Sequence, residues 1–184
     1  HIRFAPRFAN PGLEFQSQPR DFTSGEYGPD LINQFALDFL TRQAAVMPGD
    51  SGKPFLLYYP MILPHFPHQA TPDSDDWDRD LRGERKGRDP HHFKDMVRYM
   101  DKLVGKVVDK LDALQLRANT MVLFVGDNGT NVNIRSQMRG KTIRGAKRFT
   151  TVHGTHVPMI VNWRNTIDPA VCEDLVDSTD ILPT

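Results

Sequence analysis

Met121-Val122-Leu123-Phe124-Val125-Gly126-Asp127-Asn128-Gly129 is an apolar run that stops abruptly on an acid, an amide and a glycine. Its β-forming residues show no polar alternation, which predicts a buried strand in the middle of a parallel sheet. Ligands in open α/β sheets gather outside the carboxyl ends of such strands. Asp127 and Asn128 would present two hard oxygen donors there, of the kind calcium or magnesium selects. Asp-Asn-Gly is also compatible with a plain turn, since all three residues tolerate turn geometry.

The flanking sequence predicts an alternation of helices and strands. Residues 1–29, rich in Pro, Gly and Arg, read as a loop-rich lead-in. Pro29-Asp30 then opens a helix with Leu31, Phe35, Phe39 and Leu40 on an apolar stripe, ending near Met47-Pro48-Gly49. The run Phe55-Leu56-Leu57-Tyr58-Tyr59, bounded by prolines, predicts a second buried strand. Charges crowd residues 73–95 into an exposed excursion. A long helix follows, with Val97, Met100, Val104, Val107, Val108, Leu111 and Leu114 at the period of one buried face. After the opening strand, Pro158-Met159-Ile160-Val161 predicts another. The expected class is α/β, a mostly parallel central sheet flanked by helices.

The 184 residues carry 23 basic and 23 acidic side chains, which argues against a general nucleic-acid or membrane-surface binder. No hydrophobic stretch is of membrane length. The lone Cys172 excludes an internal disulfide framework and a Cys-x-x-Cys metal pair. Charge is unevenly spread, because no Asp or Glu occurs from Asn128 to Ile167 while Arg135, Arg139, Lys141, Arg144, Lys147, Arg148 and Arg164 all fall there. A metal beside these cations would favour a small anion such as sulfate or phosphate. A solvated basic loop would have the same composition.

His65, in Leu63-Pro64-His65-Phe66-Pro67-His68, follows the strand expected at Phe55–Tyr59 and so shares with Asp127 a place at a strand's carboxyl end. A lone loop histidine is more often a surface or structural residue. Nothing intrinsic separates Lys147 from Lys141.

Taken in order, these pieces resemble the sulfatase family of the alkaline phosphatase superfamily. The resemblance rests on Lys53 to Pro60 followed by Pro64-His65-Phe66-Pro67, on the helix from Tyr99 to Leu111, and on Val122 to Gly129. Gly145-Ala146-Lys147 through His153-Gly154-Thr155-His156-Val157-Pro158 to Trp163, and Leu175 to Thr184, extend it to about residues 27–184. It implies an alkaline phosphatase-like fold and a partial sulfatase catalytic domain over 1–184. It implies further that Asp127 and Asn128 ligate calcium, with magnesium or manganese as alternatives, and that His65 and Lys147 are catalytic groups contacting the sulfate of a small substrate. Lys147 is preferred to Lys141 because the family lysine stands ten residues before the valine of Val-Pro, here Val157-Pro158. The commoner Glu-Gly-Gly-x-Arg-Val-Pro pattern is replaced by Val152-His153-Gly154-Thr155-His156-Val157-Pro158, which leaves the roles of His153 and His156 open.

Such enzymes use a formylglycine nucleophile made from the first residue of Cys/Ser-x-Pro-x-Arg, together with paired aspartates and a Lys-x-His element. None of these is present here, and Cys172 lacks the required proline and arginine. The family places them upstream, so the expectation is a fragment, inactive as an isolated chain, from a longer periplasmic or secreted enzyme. The alternatives are a phosphodiesterase or phosphonate monoester hydrolase of the same superfamily, and a degenerate anion-binding module.

Overall fold

The computed structural model describes residues 6–46, 53–82 and 90–181. The helix end expected near Met47-Pro48-Gly49 lies outside them, as do residues 83–89 of the charged excursion.

The lead-in is more ordered than its composition suggests. Strands β1 (Gly12–Phe15) and β2 (Gln18–Asp21) form an antiparallel hairpin, with Gln16 and Ser17 both at positive φ in its turn. That backbone twist matches the twist of the paired strands. Phe8, Ala9 and Tyr27, on either side of the hairpin, are buried. Helix α1 (Gly28–Val46) begins immediately afterwards. Gly28 is required there, because a Cβ would stand 2.0 Å from the Arg7 carbonyl oxygen.

Helix α2 (Phe93–Ala113) packs on α1, but with a face rotated from the expected one. Met96, Tyr99, Leu103 and Leu111 are buried, whereas Val97, Val104, Val107 and Val108 are only half-buried. Aromatic packing decides the rotation. Tyr27 sits edge-on to Tyr99 at 5.2 Å and to Trp77 at 5.3 Å, and Phe8, Leu63, Met96 and Leu103 complete the cluster. On α1 the buried positions are likewise Asn33, Ala36 and Leu40 rather than Phe35, which is exposed. Buried Asn33 donates from Nδ2 to the Leu103 carbonyl at 3.1 Å and so joins the helices.

Tyr99 donates its hydroxyl to Asp30 Oδ2 at 2.7 Å. Burial first, and then the Asp30 carboxylate, push its phenol well above the ordinary tyrosine range. A group whose folded pKa is raised contributes stability that is complete below its unfolded pKa, near 10, and is lost as pH rises through the folded value. Stability should therefore fall once pH passes about 10, and Tyr99→Phe should flatten that decline while costing about 1 kcal/mol at neutral pH. Urea melts across the alkaline range measure both effects. An unchanged alkaline slope in Tyr99→Phe would contradict the assignment.

Part of the charged excursion is tied down. His92 brings Nε2 to 3.2 Å from Asp76 and Nδ1 to 3.2 Å from Asp95, and Ser74 donates to Asp95 at 2.9 Å. Desolvation alone would raise the Asp95 carboxyl, but the hydrogen bonds from His92 and Ser74 outweigh it and hold the group below its usual range. Trp77, within the same stretch, packs against the core.

The expected strand at Phe55–Tyr59 does not form. Residues 53–62 are extended without a ladder, and Leu56 and Tyr58 are 88% and 83% exposed. Phe55 instead meets Phe39 of α1 edge-on at 5.8 Å. With no sheet neighbour among the described residues, alternate side chains of this segment face water.

The opening stretch does form a strand, β3 (Val122–Val125), half-buried rather than buried. Its partner is β6 (Met159–Asn162), antiparallel, in the register Val122↔Asn162 and Val125↔Met159. Between them lie the hairpin of β4 (Arg135–Met138) and β5 (Lys141–Arg144) and the short helix α3 (Val152–Thr155). Among the described residues all three strand pairs are antiparallel, so the expected parallel pairing is not formed here. A parallel return needs a crossover that carries the chain back to the start of the first strand. Here the chain stays at the carboxyl end of β3, and β6 begins where β3 finishes.

Candidate functional site

The turn after β3 is fixed by its backbone. Gly126 N–H donates to the Pro158 carbonyl at 3.0 Å and Gly129 N–H to the Gly154 carbonyl at 2.9 Å. Asp127 and Asn128 are held between these two anchors. Gly129 is buried, and a Cβ on it would lie 2.1 Å from the His153 carbonyl oxygen and 2.7 Å from Gly154 Cα. Gly154 is equally confined, since its Cβ would fall 2.0 Å from the Phe149 carbonyl oxygen. Two glycines thus let two backbones touch.

The same stitching draws in the basic segment. Lys147 N–H donates to the Thr130 carbonyl at 2.9 Å, and Gly145 N–H to the Ile134 carbonyl at 3.0 Å. Asp127, Asn128 and Lys147 are therefore on neighbouring stretches of chain, although 128–147 leaves the site to make the hairpin. Lys141, in contrast, lies on β5 and is exposed. His153 and His156 are both exposed, and His153 serves the turn through its carbonyl, which closes over Gly129.

Asp127 is exposed and Asn128 half-buried, and the Asn128 amide donates to Asp127 Oδ2. The other carboxylate oxygen and the amide Oδ1 are the hard donors that this turn offers a cation. The donor set fits part of a calcium or magnesium shell, which takes about six to eight oxygens for calcium. Among the described residues no cluster of three or more His, Cys, Asp or Glu side chains could hold a metal ion.

His65 is held from another quarter. Its loop is anchored by buried Leu63 in the aromatic core, and His65 N–H donates to the Ile62 carbonyl at 2.8 Å. Ring Nδ1 lies 2.6 Å from the Phe66 carbonyl oxygen. A carbonyl only accepts, so Nδ1 carries a proton, and Nε2 is the nitrogen left for exchange. Arg7 also reaches this loop, donating from Nη2 to the same carbonyl at 2.9 Å, with Nη1 3.4 Å from Nδ1. With Nδ1 protonated, Arg7 is a charged neighbour and not a donor to the ring. Among the described residues His65 is held by Ile62, Phe66 and Arg7, not by the Asp127 turn.

Sequence reading singled out neither Arg7 nor the Gly129–Gly154 contact. Arg7 is one arginine in an irregular lead-in, and no local pattern marks it. Gly154 was visible only as one turn glycine among many.

The sulfatase family model matches residues 8–184. Human (Homo sapiens) "Arylsulfatase A" is 31% identical over 134 residues, which are 72% of this chain and 24% of that protein. The "Uncharacterized sulfatase YdeN" of Escherichia coli (strain K12) is 27% identical over 183 residues, 96% of this chain and 31% of the relative. The crystal structure of Ps i-CgsB superposes with a TM-score of 0.60 at 26% identity, covering 85% of this chain and 32% of that one. The chain belongs to the sulfatase family, and its fold is of the alkaline phosphatase-like α/β class. It spans about a quarter to a third of the length of these relatives. Among the described residues no helix is long and apolar enough to cross a membrane.

Proposed function

We propose that this chain is part of a calcium-dependent sulfatase, a hydrolase of sulfate esters, in which Asp127 and Asn128 supply two metal ligands and Lys147 and His65 bind the sulfate. The observation that carries this reading is the backbone stitching of an acid-free basic segment onto the Asp127-Asn128-Gly129 turn. It brings the backbones of a carboxylate, an amide and a lysine onto adjoining stretches of chain, which supports a site where hard oxygen donors and a cation act on one sulfate group as charge builds on it.

Each residue has a role set by its chemistry. A divalent cation, when bound, draws electron density from a sulfate oxygen. The Lys147 ammonium adds a fixed positive charge against the same group, on a backbone held by Thr130. His65, with Nδ1–H directed at the Phe66 carbonyl, presents Nε2 to carry a proton to the leaving alcohol oxygen. The exposed Cys172 is not in a sequence that would yield the family's nucleophile, so the 184-residue chain alone should hydrolyse no sulfate ester.

Turnover of an aryl sulfate, a phosphate diester and a phosphonate monoester by the full-length protein, before and after chelation, tests the reading. The expected result is a preference for the sulfate ester, loss of turnover with chelator and recovery with calcium. Faster phosphorus ester hydrolysis would replace it with the phosphodiesterase or phosphonate hydrolase reading. No turnover of any ester would leave an anion-binding module. Aryl sulfate turnover by the purified 184-residue chain would contradict the assigned division of the site.

A further inference from the structure

The β4–β5 hairpin carries a charge arrangement that folding does not explain. Register pairs Arg135 directly with Arg144, and like charges opposite one another destabilise a two-stranded ribbon. The alternation of strand side chains places Arg135, Gln137, Thr142 and Arg144 on one face, and Ser136, Met138, Lys141 and Ile143 on the other. Ile143 is the one half-buried residue of the two strands, so the face it belongs to is turned toward the protein and the arginine face toward solvent. Among the described residues neither arginine forms an ion pair, and no Asp or Glu lies between Asn128 and Ile167 to provide one. Arg164, by comparison, is neutralised by both oxygens of Asp112.

The face is also ordered. Arg144 Nε–H donates to the Val132 carbonyl at 3.0 Å, which fixes its guanidinium plane and leaves the outer nitrogens for a ligand. Gln137 Nε2 donates to Thr142 Oγ1 at 2.8 Å beside it. The turn, Arg139-Gly140, has both residues at positive φ, a tight reversal that keeps the ribbon stiff. The Arg135–Arg144 pair stands at the foot of the hairpin, where Gly145 N–H bonds the Ile134 carbonyl and Lys147 N–H bonds the carbonyl of Thr130, the residue that follows the Asp127-Asn128-Gly129 turn. Three residues of chain from Arg144 to Lys147 span at most ~10 Å.

We infer that the Arg135/Arg144 face of this hairpin is a subsite for a second anionic group of the substrate, so that the substrate carries at least two anionic groups rather than a single sulfate. This rests on the sulfatase reading of the neighbouring site. Paired guanidinium groups suit the planar, bidentate recognition of oxyanions, and an occupied pair would relieve the repulsion between the two arginines.

The test uses the full-length protein and the double variant Arg135→Gln/Arg144→Gln, with exposed Arg98→Gln on α2 as the charge control. Binding of dextran sulfate should weaken about 10-fold or more in the double variant, the loss of two charge-assisted contacts, and remain at the parent value in Arg98→Gln. Neutral dextran should bind none of them. In catalysis, the double variant should keep parent turnover of a monosulfated aryl ester and lose about 10-fold or more in kcat/KM for a disulfated disaccharide. Removing like charges should leave its melting temperature at or above the parent value. Equal dextran sulfate binding by parent and double variant, or an equal loss in Arg98→Gln, overturns the inference and leaves the sulfatase reading intact. A protein that hydrolyses neither ester but binds dextran sulfate through these arginines overturns the sulfatase reading and, with it, the substrate role of a face that still binds anions.

Discussion

Asp127→Ala in the full-length protein should lower kcat/KM for a sulfate ester by about a thousandfold, corresponding to about 4 kcal/mol of lost transition-state stabilisation. The carboxylate is the only fully charged donor on the β3 turn, and Asn128, which gives it a hydrogen bond, cannot replace its charge. Lys147→Ala should cost about a hundredfold, while Lys141→Ala, out on the hairpin, should stay within about threefold of the parent. The contrast between the two lysines separates a placed charge from a general basic field. Steady-state kinetics of the three variants, with calcium titrations, measure both. Equal losses at Lys141 and Lys147 would contradict the site.

Gly129→Ala should be nearly as damaging without removing any functional group. The added methyl would meet the His153 carbonyl at 2.1 Å and Gly154 Cα at 2.7 Å, and neither is a flexible side chain that could swing away. The backbones must separate, breaking the Gly129–Gly154 hydrogen bond and displacing the ligand turn from the lysine segment. Overpacking of this kind costs about 1–3 kcal/mol or more. The expected result is a lowered melting temperature together with weakened calcium dependence of activity. Gly140→Ala, at the open tip of the hairpin, should leave calcium dependence at the parent value. A Gly129→Ala protein with parent stability and activity would show that the contact does not hold the turn.

Much of the architecture was legible because it is written in local pattern. The β3 run, the β6 run and α2 each carry a continuous periodic or apolar signal, and all three form. What the pattern could not supply was partnership. Val97, Val104 and Val108 have the correct period for burial, yet the rings of Tyr27, Tyr99 and Trp77 choose a neighbouring face of α2. Leu56 and Tyr58 have the composition of a strand, but a strand is defined by its neighbour, and residues 53–62 have none among those described. At the candidate site, motif order singles out Asp127, Asn128 and Lys147, and what the structure adds is that their backbones lie on adjoining stretches. The clasp that draws them together was not legible, because it consists of main-chain groups and of the missing Cβ atoms of Gly129 and Gly154.

The β4–β5 hairpin has a kinetic consequence as well. The hydrogen bonds that build the site, Gly126 to Pro158, Gly129 to Gly154 and Lys147 to Thr130, close loops between residues distant in sequence, and the entropy of closure must be met before any of them forms. A hairpin with a two-residue turn forms locally, on a scale of about 1–10 μs. Once Arg135 has met Arg144, Ile134 and Gly145 are already side by side, and the search left to Lys147 and Thr130 is short. The ribbon acts as a zipper pull, shortening the loop that the backbone clasp has left to close.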